Sequence, residues 1–203
     1  MFGSRSVAEV SDEASRANER RTRILAALFL SSGAALVVYV ISGISLLWAL
    51  GCVLLLATGI GLGLWKTLPP RRQRELRRRI IVGIGAGIVA TLAYDVSRFI
   101  LIELTGIQFW PFDIFQIFGR ALFGEHAQGQ WLEFAGLSYH VLNGVGFAIG
   151  YTLLWAKRGL WAGIGYALVL EACMVSLNPV WLELKALDEF LSVSMLGHVV
   201  YGA

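Results

Sequence analysis

The sequence predicts an all-α fold, specifically a polytopic bundle of membrane helices. Hydrophobic residues make up 57% of the 203 residues and charged residues only 15%, whereas soluble domains contain roughly 45–50% and about 25%. The apolar residues are also concentrated in blocks of about 20, the length at which a helix crosses about 30 Å of hydrocarbon. Most basic residues lie before the first block, in residues 66–79 and at 157–158. Their concentration in some of the connecting segments is typical of membrane proteins.

Five apolar blocks are expected to be complete spans, and a sixth is shorter. The complete spans are expected at 24–41, 46–65, 80–104, 135–156 and 160–180. The turn-forming residues 42–45 join the first two spans into a helical hairpin. The sixth block begins near Phe190 and is cut off by the end of the chain at Ala203. We therefore expect it to form a partial span.

The blocks divide the chain into four parts. These are a cytoplasmic tail (1–23), a transmembrane hairpin (24–66), a basic cytoplasmic loop (67–79) and a repeated-helix membrane domain (80–203). The tail is polar and has no apolar core, so it does not resemble a cleaved signal peptide.

The basic residues predict the orientation of the chain. With alternating spans, 14 of the 17 lysines and arginines lie on the side of the N-terminus. Because positively charged loops stay in the cytoplasm, the sequence predicts a plasma (inner) membrane protein with a cytoplasmic N-terminus. This placement explains the arginine run without a nucleic-acid partner. The expected partner of the helices is the lipid bilayer.

Residues 106–124 are too polar for a span and predict an aromatic-rich helix. Asp113 suits the first turn of a helix and Gly124 suits its end. We expect this helix to lie at the outer membrane interface or to fold back into the bundle. A plain extracellular connector is the alternative.

The membrane domain contains matching positions that suggest a tandem two-helix repeat. The first span of each copy matches at an offset of 76 residues and the second at an offset of 58. The matched positions are Gly83 with Gly159, Gly87 with Gly163, Asp95 with Glu171, and residues 140–144 with 198–202. Residues 106–124 would then be an insertion in the first copy. Chance matching is the alternative, because glycine is frequent in membrane helices.

Pairs of glycines four residues apart predict where helices approach closely. Small residues at this spacing let two helix backbones come together. The pairs are Gly59 and Gly63, Gly83 and Gly87, Gly146 and Gly150, and Gly159 and Gly163. We expect these faces to form the compact core.

Six of the polar residues inside the predicted spans form the candidate site. They are Asp95, Arg98, His140, Asn143, Glu171 and His198. At 1.5 Å per residue, Asp95 and His140 both lie about 7–8 Å below the outer surface of the hydrocarbon. If the repeat holds, Glu171 and His198 share that depth. Because ionisable groups are costly in lipid, all should face protein or water, so we expect one intramembrane cluster.

Three interpretations of this cluster remain open. In the structural one, Asp95 and Arg98 neutralise each other, His140 and Asn143 hydrogen-bond across helices, and Glu171 has a tyrosine or histidine partner. In the second, the acids and histidines form an ion or proton path. In the third, His140 and His198 hold a b-type haem or zinc, although no HExxH motif is present and no cofactor is the default expectation.

The chain contains no GxSxG or SxxK motif, so we expect a protein that is not an enzyme. Its glycine- and aromatic-rich surfaces favour an accessory or structural subunit of a larger membrane complex, with other membrane subunits as partners. A small ion- or proton-conducting protein is the alternative.

Short histidine-glycine motifs carry a family resemblance. His140-x-x-Asn143-Gly144 and Gly197-His198-x-x-Tyr201-Gly202 resemble a loose group of uncharacterised bacterial multi-pass membrane proteins. The resemblance covers about residues 80–203. It implies the membrane fold and brings no activity with it.

Overall fold

The computed structural model describes the backbone of residues 7–106, 110–155, 157–177 and 187–203, and the side chains within 12–106, 110–155, 157–176 and 192–203. All regular structure in these ranges is helical, so the predicted all-α class is confirmed. The helices are α1 (Val7–Leu28), α2 (Ser31–Ser42), α3 (Leu46–Lys66), α4 (Pro70–Thr105), α5 (Asp113–Phe123), α6 (Trp131–Trp155), α7 (Leu160–Leu177) and α8 (Leu187–Gly202).

Several of these helices have the character of membrane spans. Among the described residues, α3 and α4 are long and apolar enough to cross a membrane, and α1 with α2 forms a third candidate if this bent pair is one span. The apolar part of α7, Leu160–Ser176, is shorter. The structure therefore supports two or three spans by length and composition, where the sequence predicted five.

The first predicted span is bent, which corrects the prediction of one helix after a polar tail. α1 runs through most of the predicted tail, and α2 follows at an angle of 55°. At the break, the amides of Phe29 and Leu30 bond to carbonyls three residues earlier, a tighter turn than the α-helix has. A Cβ at Gly146 of α6 would meet the Phe29 carbonyl oxygen at 2.5 Å. The bend therefore depends on close packing against α6. Residues 1–6 lie outside the described part.

The predicted basic loop is mostly helical, because α4 begins at Pro70. Proline suits the first helical turn and arginine is a good helix former. Glu75 pairs with both Arg72 and Arg79 at 2.6 Å. Partial burial raises the pKa of the Glu75 carboxyl, but hydrogen bonds and charge from these two arginines outweigh it and hold the pKa below its ordinary value.

α6 occupies the centre of the bundle, where it packs against α1, α2, α4 and α5, while α8 packs against α7 and α4. Glycines allow these contacts, as predicted. A Cβ at Gly87 of α4 would lie 2.7 Å from the Val145 Cα of α6. A Cβ on Gly163 of α7 would overlap the Gly202 carbonyl oxygen of α8. The α4–α6 and α7–α8 contacts thus involve glycines at matched positions.

One predicted glycine face, and one glycine of another, are wrong within the described structure. A Cβ added at Gly59 or Gly63 of α3, or at Gly159 just before α7, would have no neighbour within 4 Å. Glycine spacing alone does not say which face of a helix meets another helix, because the partner is chosen by the whole bundle.

The segment after α4 forms the predicted short helix and is packed rather than a plain connector. α5 begins at Asp113 and is followed by Gly124 at φ 103°, a backbone angle that favours glycine. The Cβ of an alanine at Gly119 or Gly136 would overlap the carbonyls of Leu132 or Phe115, respectively. α5 therefore lies directly on α6. Residues 107–109 lie outside the described part.

The remaining predicted boundaries differ by a few residues. α6 begins at Trp131 rather than Ala135, and α8 begins at Leu187 rather than near Phe190. α7 begins at the predicted Leu160, and the predicted end of that span, residues 178–180, lies outside the described part.

Candidate functional site

The structure brings the predicted acids and histidines together in two pairs. Asp95 of α4 faces His140 of α6, with 3.2 Å between Oδ2 and Nε2. Glu171 of α7 faces His198 of α8, with 3.3 Å between Oε2 and Nδ1. Each pair thus joins two helices.

Arg98 accompanies the first pair and is almost completely buried, at 2% exposure. One of its nitrogens lies 3.7 Å from Asp95, one turn earlier on α4. Another donates a hydrogen bond of 3.0 Å to the Pro111 carbonyl, just before α5. Its guanidinium carbon lies 4.8 Å from the centre of the Tyr94 ring and 5.8 Å from that of Phe112, within cation–π range. Arg98 therefore supplies the positive charge next to Asp95.

The second pair has a different charge environment. Glu171 is 3% exposed, and among the described residues no lysine or arginine nitrogen lies within 4.0 Å of it. His198 is its ionisable partner, but Nδ1 of that histidine is closer to the Ser194 carbonyl, at 2.9 Å. Among the described residues, neither oxygen of Glu171 accepts a hydrogen bond of good geometry. Within the described structure, His198 is therefore the ionisable group in direct contact with this carboxyl group.

Tyr94 joins the two pairs into one cluster. Its ring centre lies 5.8 Å from that of His140 and 4.9 Å from that of His198. Its hydroxyl lies 3.2 Å from that of Ser194. Gly197 makes room for the ring, because a Cβ there would lie 2.7 Å from it. The two pairs are therefore in contact with one aromatic side chain.

Asn143 was predicted to hydrogen-bond across helices, and its side-chain oxygen makes no such bond. Its Oδ1 atom is buried and accepts no hydrogen bond. The cross-helix bond at this level comes instead from Tyr201 of α8, which donates to the Gly144 carbonyl at 2.6 Å. Tyr201 is the residue that matches Asn143 at the offset of 58.

A cavity of about 330 Å³ adjoins the cluster. Side chains of the cluster on α4, α6 and α8 line one wall, among them Tyr94, Arg98, His140 and His198. The opposite wall consists of apolar residues from the start of α2 and from α7, such as Leu30, Val37 and Leu170. The ionisable groups therefore face an open space that is apolar on its other side.

The described residues contain no group of three or more His, Cys, Asp or Glu side chains arranged as metal ligands. His140 and His198 each already face a carboxylate, and both contact Tyr94.

Two further groups have roles that were not predicted from the sequence. Tyr94 is the common contact of the two pairs, and the Pro111 carbonyl accepts a hydrogen bond from Arg98. The position of Tyr94 next to Asp95 was the available signal for the first. A backbone carbonyl gives no such signal.

No family model, no curated protein and no solved structure matches this chain.

Proposed function

We propose that this chain is a small proton-conducting or proton-coupled transport protein of the membrane, in which the Glu171–His198 pair takes up and releases a proton. The observation that carries the proposal is the buried carboxyl group of Glu171, whose ionisable partner among the described residues is a histidine 3.3 Å away rather than a lysine or arginine.

The charge balance of the cluster supports this role. Asp95 and Arg98 compensate each other at 3.7 Å. An uncompensated carboxylate in a buried environment costs several kcal/mol, so the Glu171–His198 pair favours holding one proton, on either partner. Transfer of that proton to another group leaves the pair with a net negative charge. Buried ionisable groups of this kind in membrane helices mark proton relays.

The two pairs also provide a short route for a proton. His140 and His198 both contact Tyr94, and both line the same cavity. The Tyr94 hydroxyl is within hydrogen-bond distance of Ser194, whose carbonyl faces His198. A backbone carbonyl only accepts a hydrogen bond, and the contacts of Tyr94 with the histidines are ring contacts, so proton exchange between the pairs would run through water in the cavity that both histidines line.

The proposal includes a finer membrane arrangement. Besides α3, α4 and the bent α1–α2 pair, α6 and α7 cross the inner membrane and α8 enters it, with the N-terminus in the cytoplasm, as the distribution of basic residues predicts. The α4–α6 and α7–α8 hairpins are tandem repeats. Support comes from Gly87 against Val145 and Gly163 against Gly202, and from one acid–histidine pair in each hairpin.

The test is proton flux into liposomes that contain the purified protein and a pH-sensitive dye. We expect flux above that of empty liposomes, its loss in Glu171→Gln, and its retention in Glu133→Gln, an exposed acid bonded to Gln116. Glutamine is neutral and similar in shape, so Glu171→Gln should fold at least as stably as the natural chain. Equal flux in the two variants would contradict the proposal.

A second candidate is a non-enzymatic accessory or structural subunit of a larger membrane complex. Gly59 and Gly63 favour it, because both lie on an exposed face of α3 with no neighbour within the described chain. Small-residue faces of this kind suit docking of another helix. Mild-detergent purification from native membranes and mass spectrometry would identify partners, and Gly59→Leu should release them without lowering the melting temperature.

Haem or zinc held by His140 and His198 is the other alternative. Its test is the absorbance spectrum and metal content of the purified protein, where a Soret band or one equivalent of zinc would favour it.

A further inference from the structure

The cavity next to the cluster has two chemically different walls. The wall formed by α4, α6 and α8 carries the charged and hydroxyl groups described above. The wall formed by α2 and α7 is apolar. At about 330 Å³, the cavity is at the lower end of the range of about 300–1,000 Å³ that small-ligand sites occupy. Its size suits a single apolar chain rather than a two-chain lipid.

Three hydrogen-bonding atoms of the lining residues have no partner. They are the Thr91 hydroxyl, Nε of Arg98 and Oδ1 of Asn143. Thr91 is 3% and Arg98 2% exposed. Buried polar atoms without partners are rare in proteins. The Thr91 hydroxyl can donate and accept a hydrogen bond, Nε of Arg98 donates and Oδ1 of Asn143 accepts. A ligand that supplies a hydroxyl or carbonyl group could therefore bond to them.

The net charge of the cluster determines whether a neutral or an ionised ligand head group is favoured. Asp95 balances Arg98, and the Glu171–His198 pair with its proton is neutral, so the wall as a whole has no net charge. A neutral head group is therefore favoured over an ionised one, which would lose its hydration without gaining an ion pair.

The cavity is partly open rather than enclosed. α2 packs on α3 and α6, whereas α7 packs mainly on α8. Leu170, Cys173 and Met174 of α7 also line the cavity. Molecules dissolved in the surrounding bilayer are the natural source of a ligand.

We propose that this cavity binds a neutral single-chain amphiphile from the bilayer, an apolar chain that ends in a hydroxyl or carbonyl group. The proposal deepens the proposed function by naming the substrate class of the same site, and it rests on that function only for the neutrality of the Glu171–His198 pair. The head group binds at Thr91, Asn143 and Arg98, and the chain lies along α2 and α7.

The two cysteines allow a direct test in the full-length protein in nanodiscs. Cys173 lines the cavity, and Cys52 lies on an exposed face of α3. The measurement is the alkylation rate of each thiol by N-ethylmaleimide, followed by peptide mass spectrometry, with 1-decanol, decane or decanoate added. We expect 1-decanol to slow the reaction of Cys173 and not of Cys52, with weaker protection by decane and by decanoate. Equal effects on the two cysteines, or none, would overturn the proposal.

An isosteric variant tests the head-group contact. Thr91→Val keeps the shape and removes a hydroxyl that has no partner within the protein, so it should fold normally and lower the apparent affinity for 1-decanol about fivefold, the value of one neutral hydrogen bond. Thr58→Val, in a separate cavity beside α3, is the matched control and should change nothing. Identical affinities in both variants would contradict the assigned head-group position.

Failure of the ligand proposal can be distinguished from failure of the proposed proton role. Protection of Cys173 should persist in Glu171→Gln, because glutamine keeps the wall neutral. Protection without proton flux would support the ligand and contradict the proton role, and flux without protection would do the reverse.

Discussion

The contact between α4 and α6 can be tested by one added methyl group. In Gly87→Ala, the new Cβ would lie 2.7 Å from the Val145 Cα and 3.0 Å from the Ala148 Cβ. Ordinary contact begins at 3.4 Å, so the helices would have to separate by about 0.7 Å or bend. Gly85→Ala is the matched control, because a Cβ at that position has no neighbour within 4 Å.

The magnitude follows from the difference between these two variants. Both gain the same helix propensity, up to about 1 kcal/mol, when glycine becomes alanine, so this contribution cancels. What remains is the overpacking of Gly87→Ala, about 1–3 kcal/mol. For a chain of this size, each kcal/mol lowers the melting temperature by about 2–4 °C. We therefore expect Gly87→Ala to melt about 2–12 °C below Gly85→Ala.

The assay is thermal unfolding of both variants in the same mild detergent at the same concentration, monitored by circular dichroism and by monodispersity. If Gly87→Ala melts at or above Gly85→Ala, the close contact between α4 and α6 is wrong. The pair Gly163→Ala and Gly165→Ala repeats the comparison on α7, where Gly163 faces the Gly202 carbonyl and Gly165 has no neighbour. The proposed repeat predicts that Gly163→Ala melts at a lower temperature than Gly165→Ala.

Three further predictions concern charge and orientation. Asp95→Asn leaves the buried guanidinium of Arg98 without its carboxylate, so it should destabilise the protein by about 3–5 kcal/mol; a melting temperature equal to that of the natural chain would contradict the ion pair. Cysteines introduced at Gln73 and Gln128 in a cysteine-free background should react with an impermeant maleimide from the cytoplasmic and outer side, respectively, and labelling of position 73 in intact cells would reverse the topology. The pKa of Glu75 is lowered in the folded state from its ordinary value of 4.5. Its ion pairs therefore stabilise the fold when the pH is above 4.5, and this stabilisation is lost as the pH falls through the folded-state pKa. The stability difference between the natural chain and Glu75→Gln should accordingly shrink below about pH 4.5, and it should be small throughout because the carboxylate is 43% exposed.

Features with a local origin could be predicted closely. The second span was expected at 46–65 and α3 is Leu46–Lys66, because an apolar run bounded by turn residues and a basic end needs no partner to be recognised. The turn before it contains Gly43 at φ 69°, as a turn-forming sequence indicates. The helical arginine run was not predicted, because the change from basic to apolar composition at Ile80 resembles a change of backbone structure, although α4 continues through it from Pro70.

Features that depend on tertiary contacts could not be predicted. The bend between α1 and α2 follows from packing of the Phe29 carbonyl on Gly146, which is more than one hundred residues away. The exposure of Gly59 and Gly63 likewise depends on which face of α3 the bundle covers. For the site, depth and repeat matching predicted one cluster of Asp95, His140, Glu171 and His198 at a common level, but not their division into two acid–histidine pairs. The contacts of Tyr94 with both histidines required the actual helix rotations.

Under the proposed repeat, the two hairpins differ in a way that assigns the proton to the second one. Arg98 has Met174 as its counterpart at the offset of 76, so an arginine lies three residues after the first acid and a methionine three residues after the second. The arginine also binds the Pro111 carbonyl just before α5, in the segment that the proposed repeat treats as an insertion. The fixed charge and the inserted helix therefore belong to the same proposed copy. In the proposed mechanism this leaves Asp95 paired with Arg98, so that the proton is held by Glu171 and His198, where among the described residues no lysine or arginine nitrogen lies within 4.0 Å of the carboxylate.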